Sequence, residues 1–340
     1  MTRSKGKDGV GEMNPLGVQR CCGHGGSMIR FLQWISRHAS AVLVVSVFLA
    51  LLVPEVASLL YPLIGPAVWL VLFLSVIRID LVQLAYHGRR PGKVVGAVVW
   101  LAIGAAVLIW VIISALDAVM PTPVPGAIKV ALILNAAAPP LMSSPAIAFL
   151  VGLDAALVLI VVTVATLVMP LVAPGMVQEF LGLDVGTGTL DLMARLGGLI
   201  VSATCAGLLA RRFVGGTRIA AAGTVINGLS VLILVFFAIA MMNGVTARMI
   251  NEPVYVMGIA ALAFATNVGL QVVGAVLFAR LGRREALSIG LASGNRAMAL
   301  WVAVLPAMHP DVFLYFAMAQ FPIYLLPAVM ARVYQRLLPG

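Results

Sequence analysis

Ten apolar runs, near residues 40–61, 65–86, 95–116, 127–151, 155–175, 193–213, 218–242, 254–279, 286–307 and 312–333, follow one another with short polar connections. Each is long enough to cross a hydrocarbon core of about 30 Å at about 1.5 Å per helical residue. The connections leave no room for a soluble domain, and backbone that cannot hydrogen-bond to lipid must be helical. The pattern predicts an all-α membrane protein with ten transmembrane helices. Two runs are interrupted. LNAAAPPLMSSPAIAFL, residues 134–150, carries Pro139, Pro140 and Pro145, and LSIGLASGNRAMALWVAVLP, residues 287–306, carries Gly290, Ser293, Gly294, Asn295 and Arg296. Proline lacks a backbone donor, and Gly, Ser and Asn favour leaving the helix, so both segments are predicted to unwind near mid-bilayer. Unwound backbone cannot face lipid. Simple kinks are the plainer alternative.

The two halves echo each other. Gly152-Leu153-Asp154-Ala155-Ala156-Leu157 runs through an apolar helix to Pro170, and His309-Pro310-Asp311-Val312-Phe313-Leu314 runs to Pro327, with sixteen residues from Asp to Pro in both. A shift of 157, the difference between positions 311 and 154, lays Arg296 on Pro139, so the two interrupted segments correspond. Repeats of five helices hold an odd number and must be inverted. The division is then a tail over 1–38, a first five-helix repeat over 39–178 and a second, inverted one over 179–336. Chance likeness between apolar helices is the competing explanation. Paired interruptions at matching places in inverted halves point to the binding site of a secondary transporter, where half-helix N-termini meet anions and freed carbonyls meet cations.

Composition agrees: the chain is 62% hydrophobic and 10% charged, with a mean hydropathy of +1.10. The formal charge of +10 does not imply nucleic acid, because the basic residues sit between apolar runs and gather on no single solvated face. They sort topology instead. With the N-terminus cytoplasmic, eighteen of the 22 Lys and Arg fall on the inner side, Lys129, Arg195 and Arg248 fall outside, and Arg296 lies within the membrane. Both termini are expected in the cytoplasm of a cell bounded by this inner membrane. Cys21, Cys22 and Cys205 cannot build a disulfide framework. The tail has no apolar core beside its basic residues, so it is no cleavable signal peptide, and it is expected to be unstructured. Cys21-Cys22-Gly23-His24 lacks the usual metal spacing. His24, His38, His87 and His309 all lie in flanks or connections, and no His-Glu-x-x-His or Gly-Lys phosphate loop occurs, so an enzyme is not expected.

The chemistry concentrates on Arg296. A charge at mid-bilayer costs at least about 2.5–3.5 kcal/mol and needs a partner, yet every carboxylate is predicted near a helix end or in a connection. One reading makes an organic anion the partner, gripped by a two-nitrogen fork of the guanidinium. The other caps Arg296 with freed carbonyls and the amides of Asn267, Gln271 or Gln320. Asn135, Ser143, Ser144, Asn267, Gln271, Ser293, Asn295 and Gln320 are candidate cavity residues beside it, although such side chains also hydrogen-bond helices together. Arg78, spaced i, i+2 from Asp80 and not facing it, reads as a snorkelling interfacial arginine.

These residues carry a family resemblance. Ala138-Pro139-Pro140-Leu141-Met142-Ser143-Ser144-Pro145, the Gly152-to-Leu157 stretch and Ser293-Gly294-Asn295-Arg296-Ala297-Met298-Ala299-Leu300 resemble the fourth, fifth and ninth helices of the bile acid:sodium symporter family. The resemblance implies a panel domain (helices 1, 2, 6 and 7) and a core domain whose broken helices 4 and 9 cross, with organic anions carried alongside sodium. The family's serine falls on Ser144, but its neighbouring asparagine falls on Pro145. Its glutamate falls on Gly290, its glutamine on Gly294, and its asparagine is kept as Asn295. Its helix 5 hydroxyl positions fall on Val158 and Val162, with Thr163 and Thr166 close by. Ser144, Thr163, Thr166 and Asn295 are thus the candidate cation ligands, while most of the sodium set is absent. The expectation is a transporter of a small organic anion with sodium coupling in doubt. An ordinary sodium-coupled symporter, an arsenite-type permease and a channel are the alternatives, the permease being disfavoured because Cys205 lies outside the interrupted segments.

Overall fold

The computed structural model describes residues 25–78, 91–182, 188–305 and 307–337. Every regular element among them is helical, and seven helices are long and apolar enough to cross a membrane, or eight if the bent pair at the N-terminus is one span. The protein is therefore an all-α, multi-pass membrane protein.

The elements run α1 (Gly25–Arg37), α2 (Ala39–Ala50), α3 (Pro54–Leu60), α4 (Ile64–Ile77), α5 (Pro91–Val99), α6 (Ala105–Val119), α7 (Gly126–Ala136), α8 (Ser144–Leu150) and α9 (Ala155–Leu181). They continue with α10 (Thr189–Val214), α11 (Gly216–Ala221), α12 (Gly223–Ala240), α13 (Val245–Asn251), α14 (Pro253–Leu277), α15 (Arg283–Gly294), α16 (Ala299–Val304) and α17 (Pro310–Leu337). Residues 25–37, expected to end an unstructured tail, form α1, an amphipathic helix bent by 95° from α2. The rest of that tail lies outside the described residues. The first two apolar runs divide differently from expectation. Helix ends at Ala50, and Pro54 starts a path that continues through a 3₁₀ turn at Tyr61–Leu63 into α4. Proline is suited to a helix's first turn, where its missing donor costs nothing, so the boundary falls at 51–53.

Other elements follow their local chemistry. Asp154 caps α9 by accepting from the Leu157 amide at 3.0 Å, and Gly182 closes it in the left-handed region at φ 57°. Pro170 and Pro174 lie inside α9, and Pro322 and Pro327 inside α17. A π-helical turn at Trp100–Gly104 joins α5 to α6. At Gly104 a Cβ would lie 2.5 Å from the Trp100 ring, so the glycine makes room for that indole.

Two groups of helices are packed together: α12 packs on α2 and α4, and α4 on α10, while α7, α8 and α9 pack with helices of the set α14 to α17; α9 on α10, α17 on α2 and α16 on α4 join the groups. One end of the bundle is tied by Arg211 donating to the Ile77 carbonyl at 3.1 Å, Asn227 to Ser36 at 2.9 Å, and Lys93 paired with Glu285 at 2.9 Å. The opposite end is tied by Lys129 paired with Asp117, and by Arg248 paired with Asp311 at 2.6 Å and with Glu252 at 3.1 Å.

α1 seats on α12 through a close approach at Gly228, where a Cβ would stand 2.2 Å from the Leu32 carbonyl oxygen. Gly228→Val should force the two helices apart, at about 1–3 kcal/mol for overpacking. The expected outcome is a lowered thermal midpoint of the purified protein together with faster proteolysis within residues 25–37; an unchanged midpoint would contradict this packing.

Candidate functional site

The two interrupted segments meet. The α7–α8 break (137–143) and the α15–α16 break (295–298) run antiparallel, paired at Pro140 and Arg296. The Ala297 amide donates to the Pro139 carbonyl at 2.8 Å, and the Leu141 amide to the Asn295 carbonyl at 2.9 Å. Two unwound stretches thus satisfy part of each other's backbone, which is how irregular main chain survives in an apolar bundle.

Arg296 fills the middle of this crossing and is 1% exposed. Its Nε donates to the Ser293 carbonyl at 2.8 Å, and its Nη1 donates to the carbonyls of Leu101 at 2.8 Å and Ala138 at 3.0 Å. These acceptors come from three segments: the end of α15, the π-helical turn and the α7–α8 break. A guanidinium carries five N–H groups. Three are engaged, and the two on Nη2 have no partner. Backbone carbonyls therefore do cap Arg296, as one sequence reading held, but Asn267, Gln271 and Gln320 do not. Asn267 donates to the Gly294 carbonyl at 2.8 Å, Gln271 to Asn267 at 2.6 Å, and Gln320 to Phe316 of its own helix at 3.5 Å. A two-nitrogen fork on a carboxylate is also closed off, because Nε and Nη1 already have acceptors.

Among the described residues, four buried side-chain atoms lack a hydrogen-bond partner: Arg296 Nη2, both amide atoms of Asn295, and Ser144 Oγ. All belong to the two interrupted segments. Each orphaned polar atom costs about 1–3 kcal/mol, so the two interrupted segments carry an uncompensated polar cost that the rest of the described bundle does not.

The remaining candidates divide. Ser293 donates to the Ile289 carbonyl and accepts from the Trp100 indole, both at 2.8 Å. Asn135 donates to the Tyr315 hydroxyl at 3.1 Å, and Tyr334 donates to Gln271 Oε1 at 2.9 Å. With Asn267, these side chains knit helices together. Gln320 lines a cavity with Arg296, whereas Ser143 lines a different one. Thr163 and Thr166 donate back along α9, to Leu159 at 2.7 Å and Val162 at 2.8 Å.

The cavity beside Arg296 holds about 60 Å³ between the two helix groups. Val68, Leu72, Leu234 and Phe237 wall it on one side, and Leu141, Met298 and Tyr324 on the other. At roughly 15 Å³ per water it admits a few waters or one carboxylate head. Its apolar wall strengthens any charge pairing inside it.

A sodium cage of the kind the resemblance implies does not fit. At Gly290 a Cβ would lie 2.5 Å from the Gln271 carbonyl, and at Gly294 2.5 Å from the Asn267 carbonyl, so α14 and α15 close over both positions. Val158 and Val162 are buried valines with no oxygen to offer. Ser144 and Asn295 remain, without a carboxylate beside them.

Sequence reasoning missed the Leu101 carbonyl and the Trp100 indole. Their one local signal is the Trp-x-x-x-Gly spacing of 100–104, in which Gly104 receives the ring. No protein-family model matches the chain, and no curated protein matches it either.

Restoring a side chain at the closed position should fail. Gly290→Ala is expected to lower thermal stability by about 1–3 kcal/mol, and Gly290→Glu to leave little monodisperse protein on size-exclusion chromatography. A stable Gly290→Glu protein further stabilised by sodium would contradict the packing described.

Proposed function

We propose that the protein is a secondary transporter that moves a small organic anion through the crossing of the interrupted segments by alternating access. The single observation that carries this reading is the set of orphaned polar atoms on Ser144, Asn295 and Arg296. They sit at the break of two helices, with Arg296 lining a cavity between two helix groups. A fixed cation with two spare N–H groups, next to an amide and a hydroxyl, offers a carboxylate its charge and its donors together.

In this reading ten crossings arise from the seven long spans together with α2, the α7–α8 pair and the α15–α16 pair. The antiparallel pairing supports an inverted repeat: under the shift of 157, Pro139 maps to Arg296 and Pro140 to Ala297, so the pair 139·297 maps onto the pair 140·296. Such a fold, with α2, α4, α10 and α12 as the panel, resembles the bile acid:sodium symporters. The end that carries Arg78, Lys93 and Arg211 faces the cytoplasm of the inner membrane by its positive charge.

Coupling to sodium is not part of this reading, because Gly290 and Gly294 are closed. Arg296 supplies the permanent positive charge instead. Binding aligns the anion on Nη2; transport then requires the panel to move relative to the crossing, exposing the site to the other side. Small shifts suffice where packed groups have two arrangements.

Lysine distinguishes this role from a structural one. An ammonium has three N–H groups, matching the three carbonyls of Ser293, Leu101 and Ala138, and leaves none for a ligand. In proteoliposomes loaded with a panel of mono- and dicarboxylates, Arg296→Lys should stay folded yet lose trans-stimulated exchange of radiolabelled carboxylate by about tenfold or more, the loss of one charge-assisted bond. Undiminished exchange would restrict Arg296 to holding the backbone, and exchange that neither saturates nor is trans-stimulated would favour a channel.

A further inference from the structure

A second cavity of about 410 Å³ shares Leu141, Leu234, Ile323 and Tyr324 with the Arg296 pocket, so these four apolar side chains form a collar between the two spaces. Arg78, at the C-cap of α4, lines this second cavity. It also lines an adjoining one of about 400 Å³, which shares Ala146 and Phe149 with the second. Among the described residues Arg78 is the charged residue of both, and no Asp or Glu lines either space. A snorkelling interfacial arginine, the sequence reading of this residue, would instead reach outward past the lipid.

The guanidinium is held by neutral chemistry. Nη1 donates to Asn227 Oδ1 at 3.2 Å, and Asn227 in turn donates to Ser36 at 2.9 Å. Among the described residues no carboxylate pairs with Arg78, whereas Lys93, Lys129, Arg195 and Arg248 each have one. Asp80 lies outside the described residues. An arginine aimed by an amide into water-accessible space, with Ser143, Thr224 and Ser230 on the same wall, presents its remaining N–H groups to whatever enters. The chemistry it selects is a carboxylate or a comparable anion.

We propose that Arg78 is a second anion subsite, on the far side of the apolar collar from Arg296, which takes the carboxylate of the transported anion at the mouth of the pathway. The inference deepens the transport reading, and it rests on that reading for what passes through. Binding at Arg78 is measurable apart from transport.

The probe is 4-fluorobenzoate, followed by ¹⁹F NMR titration against the full-length protein in phosphatidylcholine nanodiscs, with neutral 4-fluorobenzamide as the control. Titrating the Arg296→Lys protein isolates Arg78, because that lysine has no N–H left for a ligand. The expected result is saturable binding of the carboxylate and none of the amide. Adding Arg78→Gln should weaken it about tenfold or more, the loss of one charge-assisted contact, while Arg78→Lys should restore most of it and so show that the fold is intact. Three results overturn the proposal: no saturable binding to Arg296→Lys, binding indifferent to Arg78→Gln, or displacement of the probe by phosphatidylglycerol, which would assign the site to a lipid headgroup. The difference between wild type and Arg296→Lys reads the crossing separately, so either site can fail without the other.

Discussion

A guanidinium bonded to three backbone carbonyls inside an apolar bundle is the constraint around which the structure is arranged. Breaking two helices leaves carbonyls without helical donors, and burying Arg296 leaves a charge without water; each defect is costly alone. Together they satisfy each other: Ser293, at the end of α15, accepts from Nε, while Ala138, in the α7–α8 break, and Leu101, in a π-helical turn, both accept from Nη1. π-Turns recur at functional sites because they re-aim a carbonyl without ending the helix. Here the turn also places the Trp100 indole on Ser293, so the segment that anchors Arg296 is fixed from two directions.

From that arrangement follows a division of labour within one side chain. Nε and Nη1 hold the architecture, and Nη2, like the Asn295 amide and the Ser144 hydroxyl, is left without a hydrogen-bond partner. The glycines at 290 and 294 are then required by close helix packing, since α14 and α15 approach too nearly for any side chain there. The same closeness lets Asn267 bridge α14 to α15, with Gln271 donating to Asn267 along α14 and Tyr334 of α17 donating to Gln271. Buried polar side chains here are thus of three kinds: those paired across helices, those such as Thr163 and Thr166 that bond back along their own helix, and the few on Ser144, Asn295 and Arg296 left with an unpaired atom.

Much of this was legible in the sequence because it arises from strong local rules. Proline and glycine placed both breaks within a few residues, and the absence of a carboxylate at depth singled out Arg296. What was not legible depended on tertiary partners. No pattern marks a carbonyl as a partner of an arginine 195 residues away, as Leu101 is. Apolar residues on both sides of Pro54 hid the boundary at 51–53, because hydropathy alone does not see where one helix stops and the next begins. Amphipathic α1 is too short for a transmembrane run and so reads as part of the tail; what orders it is the packing of its Leu32 face on α12. Arg78 stands at the end of α4, but spacing along one helix says nothing of the cavity that α1, α2, α8, α12 and α17 build beside it.

The most direct test of the central claim is the thermal unfolding midpoint of the purified protein across a panel of carboxylates, with either sodium or potassium as the only cation. A ligand that binds only the folded state raises the midpoint by mass action. The expected rise is the same in both salts, is reduced in Arg296→Lys to the part that Arg78 supports, and is lost when Arg78→Gln is added. A rise that requires sodium would contradict this, because a mobile cation would then be supplying the charge assigned to Arg296.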